Sequence, residues 1–509
     1  MATENTAVET QADENTENEN TIAEENQKKI EEEVDNSGDE AKETEKDIPI
    51  KISETETLNL KYYLKTDKKD KFFVGVSQLS GDDNPLSMPL SNLAKIISNN
   101  PYFDDSLSTI NVTPNELFVS FDKPLPDDDN SKRKWLVGGD VTLASTKDLS
   151  LFLNGNLKNA SFEGESFFVL ATGNFTKEKT ESINERLSED NNKIIIPSNA
   201  DKDDAVAIGK GVELSGKAKL TLKKQESVKE EEKEKDKDKT KTVALDYFLS
   251  IEEKQKNFVA FGKNDDEDVK VSLPILLTSI KPDIEILDAL AEVTITVKDL
   301  LIVYDKSVDT ENKTENKTKK SKWLIDTKIK IEATNLGEFL KGDLSKAKLT
   351  DDSHLIYASQ DLNKSDVEDI NLKIFNKDNH LEIPKDAEDD TVVIPQETKI
   401  TGTLEVEVGS NTSRKVNLGY YFKIDKTNTS LVAFGKTKNN PSVNIKDLVS
   451  VIEPSAYVPE SLSKVNISLK DLLLVYDKSV SKPVNKVEST SESDVEAKGE
   501  KTTEKKWLI

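Results

Sequence analysis

Apolar and polar residues alternate along three short stretches of the chain: LNLKYYLK (Leu58–Lys65), VALDYFLS (Val243–Ser250) and VNLGYYFK (Val416–Lys423). A period of two puts alternate side chains on one face of a strand, so Leu58, Leu60, Tyr62 and Leu64 share a face, as do Val416, Leu418, Tyr420 and Phe422. A shorter strand pattern precedes each (IPIKI at Ile48, KAKLTL at Lys217, TLEVEV at Thr403), and another follows (FVGVS at Phe73, FVAFG at Phe258, LVAFG at Leu431). The period then changes. In MPLSNLAKIISNN, VSLPILLTSIKP and VNIKDLVSVIEP, apolar residues recur at i, i+3 and i+7, and Pro101, Pro282 and Pro454 follow. That spacing predicts a short amphipathic helix stopped by proline.

Beyond the helix stand INVTPNELFVSFDK, VTITVKDLLIVYDK and VNISLKDLLLVYDK, in which the alternation changes parity partway. A parity change predicts a bulge or bend that re-aims the strand. Each is followed, after a polar insert of varying length, by Lys-Trp: KWLV at Lys134, KWLI at Lys322 and KWLI at Lys506. These tetrapeptides hold all three tryptophans of the chain. The succession recurs at a period of about 185 residues, the mark of a repeat array. The expected fold is therefore mainly β (a β-rich α+β class): tandem antiparallel-sheet modules, each with a short amphipathic helix and long charged hairpin loops.

The expected division is an acidic, disordered tail over 1–47, repeat unit 1 over 48–197, unit 2 over 198–395, and unit 3, shortened at its C-terminal side, over 396–509. Residues 1–47 carry 17 Asp and Glu against 4 Lys, half of the net charge of −26, with isolated apolar residues that cannot offset the entropy of ordering. The low-complexity run KKQESVKEEEKEKDKDKTKT (Lys223–Thr242) reads as a hairpin tip, because unit 3 has only a short polar connection at that place. Lengthening a loop costs only about 0.6 kcal/mol per doubling.

Charge and composition remove several classes of function. An acidic chain repels nucleic-acid phosphates. No apolar run is long enough for a membrane-spanning helix and no secretory leader is recognised, so a cytoplasmic location is the default expectation. Without cysteine there is no disulfide and no thiolate chemistry. Two histidines, His354 and His380, and no nucleotide, zinc or nucleophile motif leave no catalytic residue, metal ligand or cofactor to name.

The recurring landmarks are Trp135, Trp323 and Trp507; Tyr62, Tyr247 and Tyr420; and Asp122, Asp305 and Asp477. Trp beside Lys suits stacking on sugar rings, but one large ring per module serves equally as a core anchor, and that structural role is expected. The Tyr residues face inward by their alternation. The Asp residues are expected where the long strand gives way to a turn. The resulting expectation is a non-catalytic structural or binding repeat protein with an unidentified protein partner. The alternative is a carrier of an apolar ligand such as lipid in a groove of a curved sheet. KKWLI begins a strand that continues in units 1 and 2, so unit 3 is expected to be truncated or to expose a strand edge open to self-association.

Overall fold

The computed structural model describes residues 22–37, 42–54, 56–66, 70–78, 87–98, 110–125, 133–143, 149–153, 155–187, 194, 196, 202–222, 241–252, 255–263, 269–284, 286, 290–291, 293–307, 321–332, 347–350, 352–374, 379–408, 414–424, 428–437, 441–452, 456–480 and 503–509. Unit 1 supplies strands β1 (Lys42–Lys51), β2 (Thr57–Thr66), β3 (Asp70–Gln78), β4 (Asn111–Pro124), β5 (Lys134–Leu143) and β6 (Ala160–Ala171). Unit 2 supplies β7 (Gly211–Leu222), β8 (Lys241–Ile251), β9 (Gln255–Lys263), β10 (Asp299–Ser307), β11 (Lys322–Ile331) and β12 (Ser353–Ala358). Unit 3 supplies β13 (Thr398–Val408), β14 (Arg414–Ile424), β15 (Asn428–Lys436), β16 (Asp471–Val480) and β17 (Thr503–Leu508).

Every neighbour in this series pairs antiparallel with the next, so a single meander runs from β1 to β17. The units are thus joined through main-chain ladders, β6 to β7 and β12 to β13, and not through free linkers. The charged run after β7 joins two paired strands, as a hairpin tip must, although residues 223–240 lie outside the described residues. The strand 206–208 pairs with Phe175–Thr176, and so belongs with unit 1 although it lies beyond residue 197. The parity change in the long strand is also explained: β4 shifts register between Pro114 and Glu116, while in units 2 and 3 a short strand (Thr294–Val297, Asn466–Ser468) stands apart from β10 and β16.

Helices cover both faces of the sheet. On one face lie the helices read from the sequence, α2 (Leu90–Lys95), α4 (Leu273–Ile280) and α6 (Ile445–Ile452). Leu90, Leu93, Leu273, Leu276, Ile280 and Leu448 join a single core with the inward residues of all three units, among them Tyr62, Tyr247, Tyr420, Trp135 and Trp323. On the opposite face lie α3 (Lys177–Asn184) in unit 1 and α5 (Lys364–Lys373) in unit 2. These two were not expected, and they give units 1 and 2 a second helix each. Beneath α3, Phe72, Val74, Phe118 and Leu136 are buried with Ile183 and Leu187. Beneath α5, Val259, Leu301, Val303 and Leu324 are buried with Val367 and Ile370.

The expectation of one unstructured tail over 1–47 is corrected for residues 22–35 and 42–47. Residues 1–21 lie outside the described residues, but 22–35 form a helix, α1, and β1 begins at Lys42. Ala23, Asn26, Ile30 and Val34 lie along one face of α1 and are buried. The Asn26 amide donates to the carbonyls of Lys51 (2.7 Å) and Ile96 (3.1 Å) and accepts from Lys51 N (2.9 Å). Gln27 Nε2 donates to Ile97 O at 2.5 Å. In unit 2 the equivalent carbonyl, Ile280 O, accepts from Leu157 N at 2.9 Å, within a segment of unit 1 that buries Phe152 and Leu153. α1 does for unit 1 what that segment of unit 1 does for unit 2: it packs beside the helix and satisfies carbonyls at or just past its end.

Candidate functional site

The landmark residues organise around two adjacent strands in each unit. The register sets Phe121 opposite Trp135, Tyr304 opposite Trp323 and Tyr476 opposite Trp507, with ring centroids 4.1, 4.8 and 4.5 Å apart. A cross-strand aromatic pair contributes beyond its area, which accounts for Trp at this one place. Trp135 and Trp323 are buried, whereas Trp507 is half-buried. The backbone N–H of Trp135 donates to Thr172 Oγ1 (2.9 Å), and that of Trp323 donates to Ser359 Oγ (2.8 Å). Thr172 N and Ser359 N return bonds to the Trp carbonyls at 2.8 and 2.9 Å. One hydroxyl residue thus clamps both main-chain groups of Trp135 and of Trp323.

The turn assignment of the Asp landmarks is corrected: Asp122, Asp305 and Asp477 lie inside strands, opposite Lys134, Lys322 and Lys506. The recurring Asp-Lys and Lys-Trp motifs are two sides of one ladder. Asp122 is buried and ion-paired with Lys179 of α3, which also reaches Asp70 at 2.9 Å. Asp305 is half-buried, and Asp477 is exposed.

The Tyr landmarks mark the joins between units. Tyr247 and Ser166 Oγ lie 3.0 Å apart, and Tyr420 and Ser353 Oγ 2.9 Å apart, each pair reaching across a glycine of the intervening strand, Gly216 or Gly402. A Cβ at Gly216 would fall 2.5 Å from Ser166 Oγ, and one at Gly402 would fall 2.9 Å from Ser353 Oγ, so these rungs need glycine. Burial raises the Tyr420 hydroxyl to about 12 and the Tyr247 hydroxyl further. The Tyr62 hydroxyl, at the corresponding place in unit 1, donates to Glu33 of α1.

A pocket of about 220 Å³ opens in unit 2 between α5 and strands β9, β10 and β11. Its polar lining includes Asn257, Asp305, Lys322, Asp366, Asp369 and Lys373. α5 begins with a capping box: Asn363 Oδ1 accepts from Asp366 N at 2.9 Å, and Asp366 Oδ2 accepts from Asn363 N at 3.1 Å. The other Asp366 oxygen accepts from Lys322 Nζ at 2.8 Å, so one carboxylate both starts the helix and holds the cation beside Trp323. Lys373, at the far end of α5, bonds Asp369 at 2.6 Å. With the Asn257 amide oriented to satisfy both ends, its nitrogen donates to Asp305 (2.9 Å) and its oxygen accepts from Lys373 (3.2 Å).

Burial raises the Asp305 carboxyl above its ordinary range, while Lys322 and Lys373 oppose the shift. Glu213, on β7 near this group, is pushed up to about 7 by burial and by the charge of Glu252. Lys322 and Lys373 are already matched by Asp366 and Asp369. Among the described residues no group of His, Asp and Glu is arranged to hold a metal ion. His354 pairs with Asp326 at 3.7 Å, which raises its pKa, and His380 contacts Ile374 O; neither lines the pocket.

The sequence landmarks brought Asp305 and Trp323 to this pocket but missed α5. Two signals mark that helix in retrospect: Asn363 followed three residues later by Asp366, and apolar residues at Val367, Ile370 and Ile374. Among the described residues no helix is long and apolar enough to cross a membrane. No protein family, no curated protein and no solved structure matches the chain.

Proposed function

We propose that the chain is a non-catalytic repeat protein with three homologous β-rich modules, serving as a rigid structural or binding element. The observation that carries this reading is the antiparallel ladder that passes through both unit junctions, reinforced by the Ser166–Tyr247 and Ser353–Tyr420 contacts. Neighbours that share a sheet and a core hold their spacing, as a scaffold requires. The net charge of −26 favours a protein partner over nucleic acid. The unit 2 pocket is small for a drug-sized ligand, for which about 300–1,000 Å³ is usual, and its charged groups answer one another.

Native mass spectrometry of the purified protein, run beside a glycan hydrolysis panel, tests the reading. The expected result is the bare polypeptide mass and no turnover. A co-purifying lipid would establish the carrier alternative. Turnover lost in Asp305→Asn would establish a carboxylate-dependent enzyme.

A further inference from the structure

Units 1 and 2 share the landmarks beneath their covering helices but differ in the helices' first turns. In both units an Asp of the fourth strand stands opposite a Lys of the fifth: Asp122 and Lys134, Asp305 and Lys322. The third residue of α3 is Lys179, whereas the third residue of α5 is Asp366. The ladders align Asp70 of β3 with Gln255 of β9, and Phe72 with Asn257. Unit 1 thus sets a helix lysine on the strand aspartate, where unit 2 has a second aspartate bonded to Lys322.

Lys179 Nζ contacts Asp122 Oδ1 directly and lies 2.9 Å from Asp70 Oδ2. On the other side of the Asp122 carboxyl, Lys134 Nζ stands 3.9 Å from Oδ2. The Asp122 side chain is 2% exposed and that of Lys179 is 16% exposed. Phe72, paired with Asp122 across the ladder, places its ring centroid 5.8 Å from Lys179 Nζ, and Phe175 is buried in the same cluster. Burial raises the Asp122 carboxyl above its ordinary range, against the pull of Lys179. In so little water, passing a proton from the ammonium to the carboxylate is less costly than in bulk solvent, because both partners become neutral.

We infer that Lys179 and Asp122 condense to a side-chain amide that ties α3 to β4. One proton passes from Lys179 Nζ to Asp122 Oδ1, leaving an amine against a neutral acid. The nitrogen lone pair then attacks Cγ, and the electron pair displaced from the C=O bond collects on Oδ2, beside Lys134. Asp70 takes a second proton from the nitrogen and hands it to Oδ1; the Cγ–Oδ1 bond breaks and water leaves. The amide keeps one proton on nitrogen, Oδ2 becomes its carbonyl oxygen, and Asp70 returns to its starting state. Nothing is oxidised or reduced, so no further reagent enters. In bulk water hydrolysis would win, but here the fold holds the reacting groups in contact and apolar side chains exclude water. The bond joins residues 57 apart in sequence and fixes the covering helix to its sheet. It forms once per chain without turnover, so it stands or falls apart from the scaffold reading.

The test is mass spectrometry of the full chain after denaturation, followed by proteolysis. The expected mass is one water below that of the sequence, with a branched peptide that joins Asp122 to Lys179. A bound lipid adds mass to the native spectrum and is lost on denaturation, so the two readings fail separately. Lys179→Arg keeps the charge of the ion pair and should restore the lost water. Asp70→Asn should slow bond formation about a hundredfold or more, read as the cross-linked fraction with time after synthesis. A parent chain at full mass with no branched peptide overturns the inference, as does a loss of water that persists in Lys179→Arg. An undiminished rate in Asp70→Asn overturns the assignment of Asp70 as the base.

Discussion

Leu301 and Leu473 occupy the same position of nearly identical strands, DLLIVYDK in unit 2 and DLLLVYDK in unit 3. The first lies under α5 among Val259, Val303 and Leu324; the second faces outward. The local pattern cannot tell them apart, because both faces of these strands are apolar. What separates them is a helix that begins more than sixty residues downstream of Leu301. Burial here belongs to the assembly of the unit and not to the strand.

The sharpest way to break this comparison is to truncate both residues. Leu301→Ala should cost about 3 kcal/mol, the transfer and cavity terms of a buried leucine, while Leu473→Ala should cost about 0.5 kcal/mol or less. Urea unfolding of the two variants measures the contrast, and equal losses would mean that unit 3 is covered in solution. The opposite end of the array supplies the next test. Ile30→Ala should cost about 2–3 kcal/mol if α1 is a packed cap, read in the same titration, and a solvated tail would give no change.

A third contrast concerns the first strand of each unit, where Glu213 of unit 2 aligns with Lys399 of unit 3. Lys399 lies 3.4 Å from Glu397 and is paired, whereas Glu213 is held protonated up to about pH 7. An acid whose folded pKa is raised binds its proton more tightly in the folded state, so stability falls as pH rises from the ordinary carboxylate range to about 7 and then levels off. Glu213→Gln should therefore match the parent near pH 4 and exceed it by about 1–2 kcal/mol at pH 8. Thermal unfolding across that range measures the difference, and a variant less stable at pH 8 would refute it. The smallest effect is expected from the Trp clamp: Ser359→Ala should cost about 1 kcal/mol and free the Trp323 amide to exchange faster. Unit 3 shows no such clamp on Trp507 among the described residues, so its amide sets the unprotected reference.

Much of the β framework was legible because its signals are local. Period-two alternation gave the second and third strands of each unit, and period 3.6 with a following proline gave α2, α4 and α6. α1 escaped because its buried face, Ala23, Asn26, Ile30 and Val34, has a small residue and an amide where a helix pattern is sought. The polar member is buried only because two carbonyls and one N–H of unit 1 wait for it. The Asp landmarks were legible as a repeat but not as a ladder, since a partner such as Lys322 lies beyond an insert of variable length. Glu213 gave no sign at all, because its proton affinity comes from neighbours on other elements.

By itself the sequence determined the strand and helix periods, the recurrence of one unit, and the places where tryptophan, tyrosine and aspartate return. Those are properties of residues a few positions apart, and backbone geometry translates them directly. Only the tertiary structure decided that the units share one sheet, that α1 packs against unit 1, and that the same leucine is core in unit 2 and surface in unit 3. Burial depends on which distant segment arrives to exclude water, and no local pattern records that arrival.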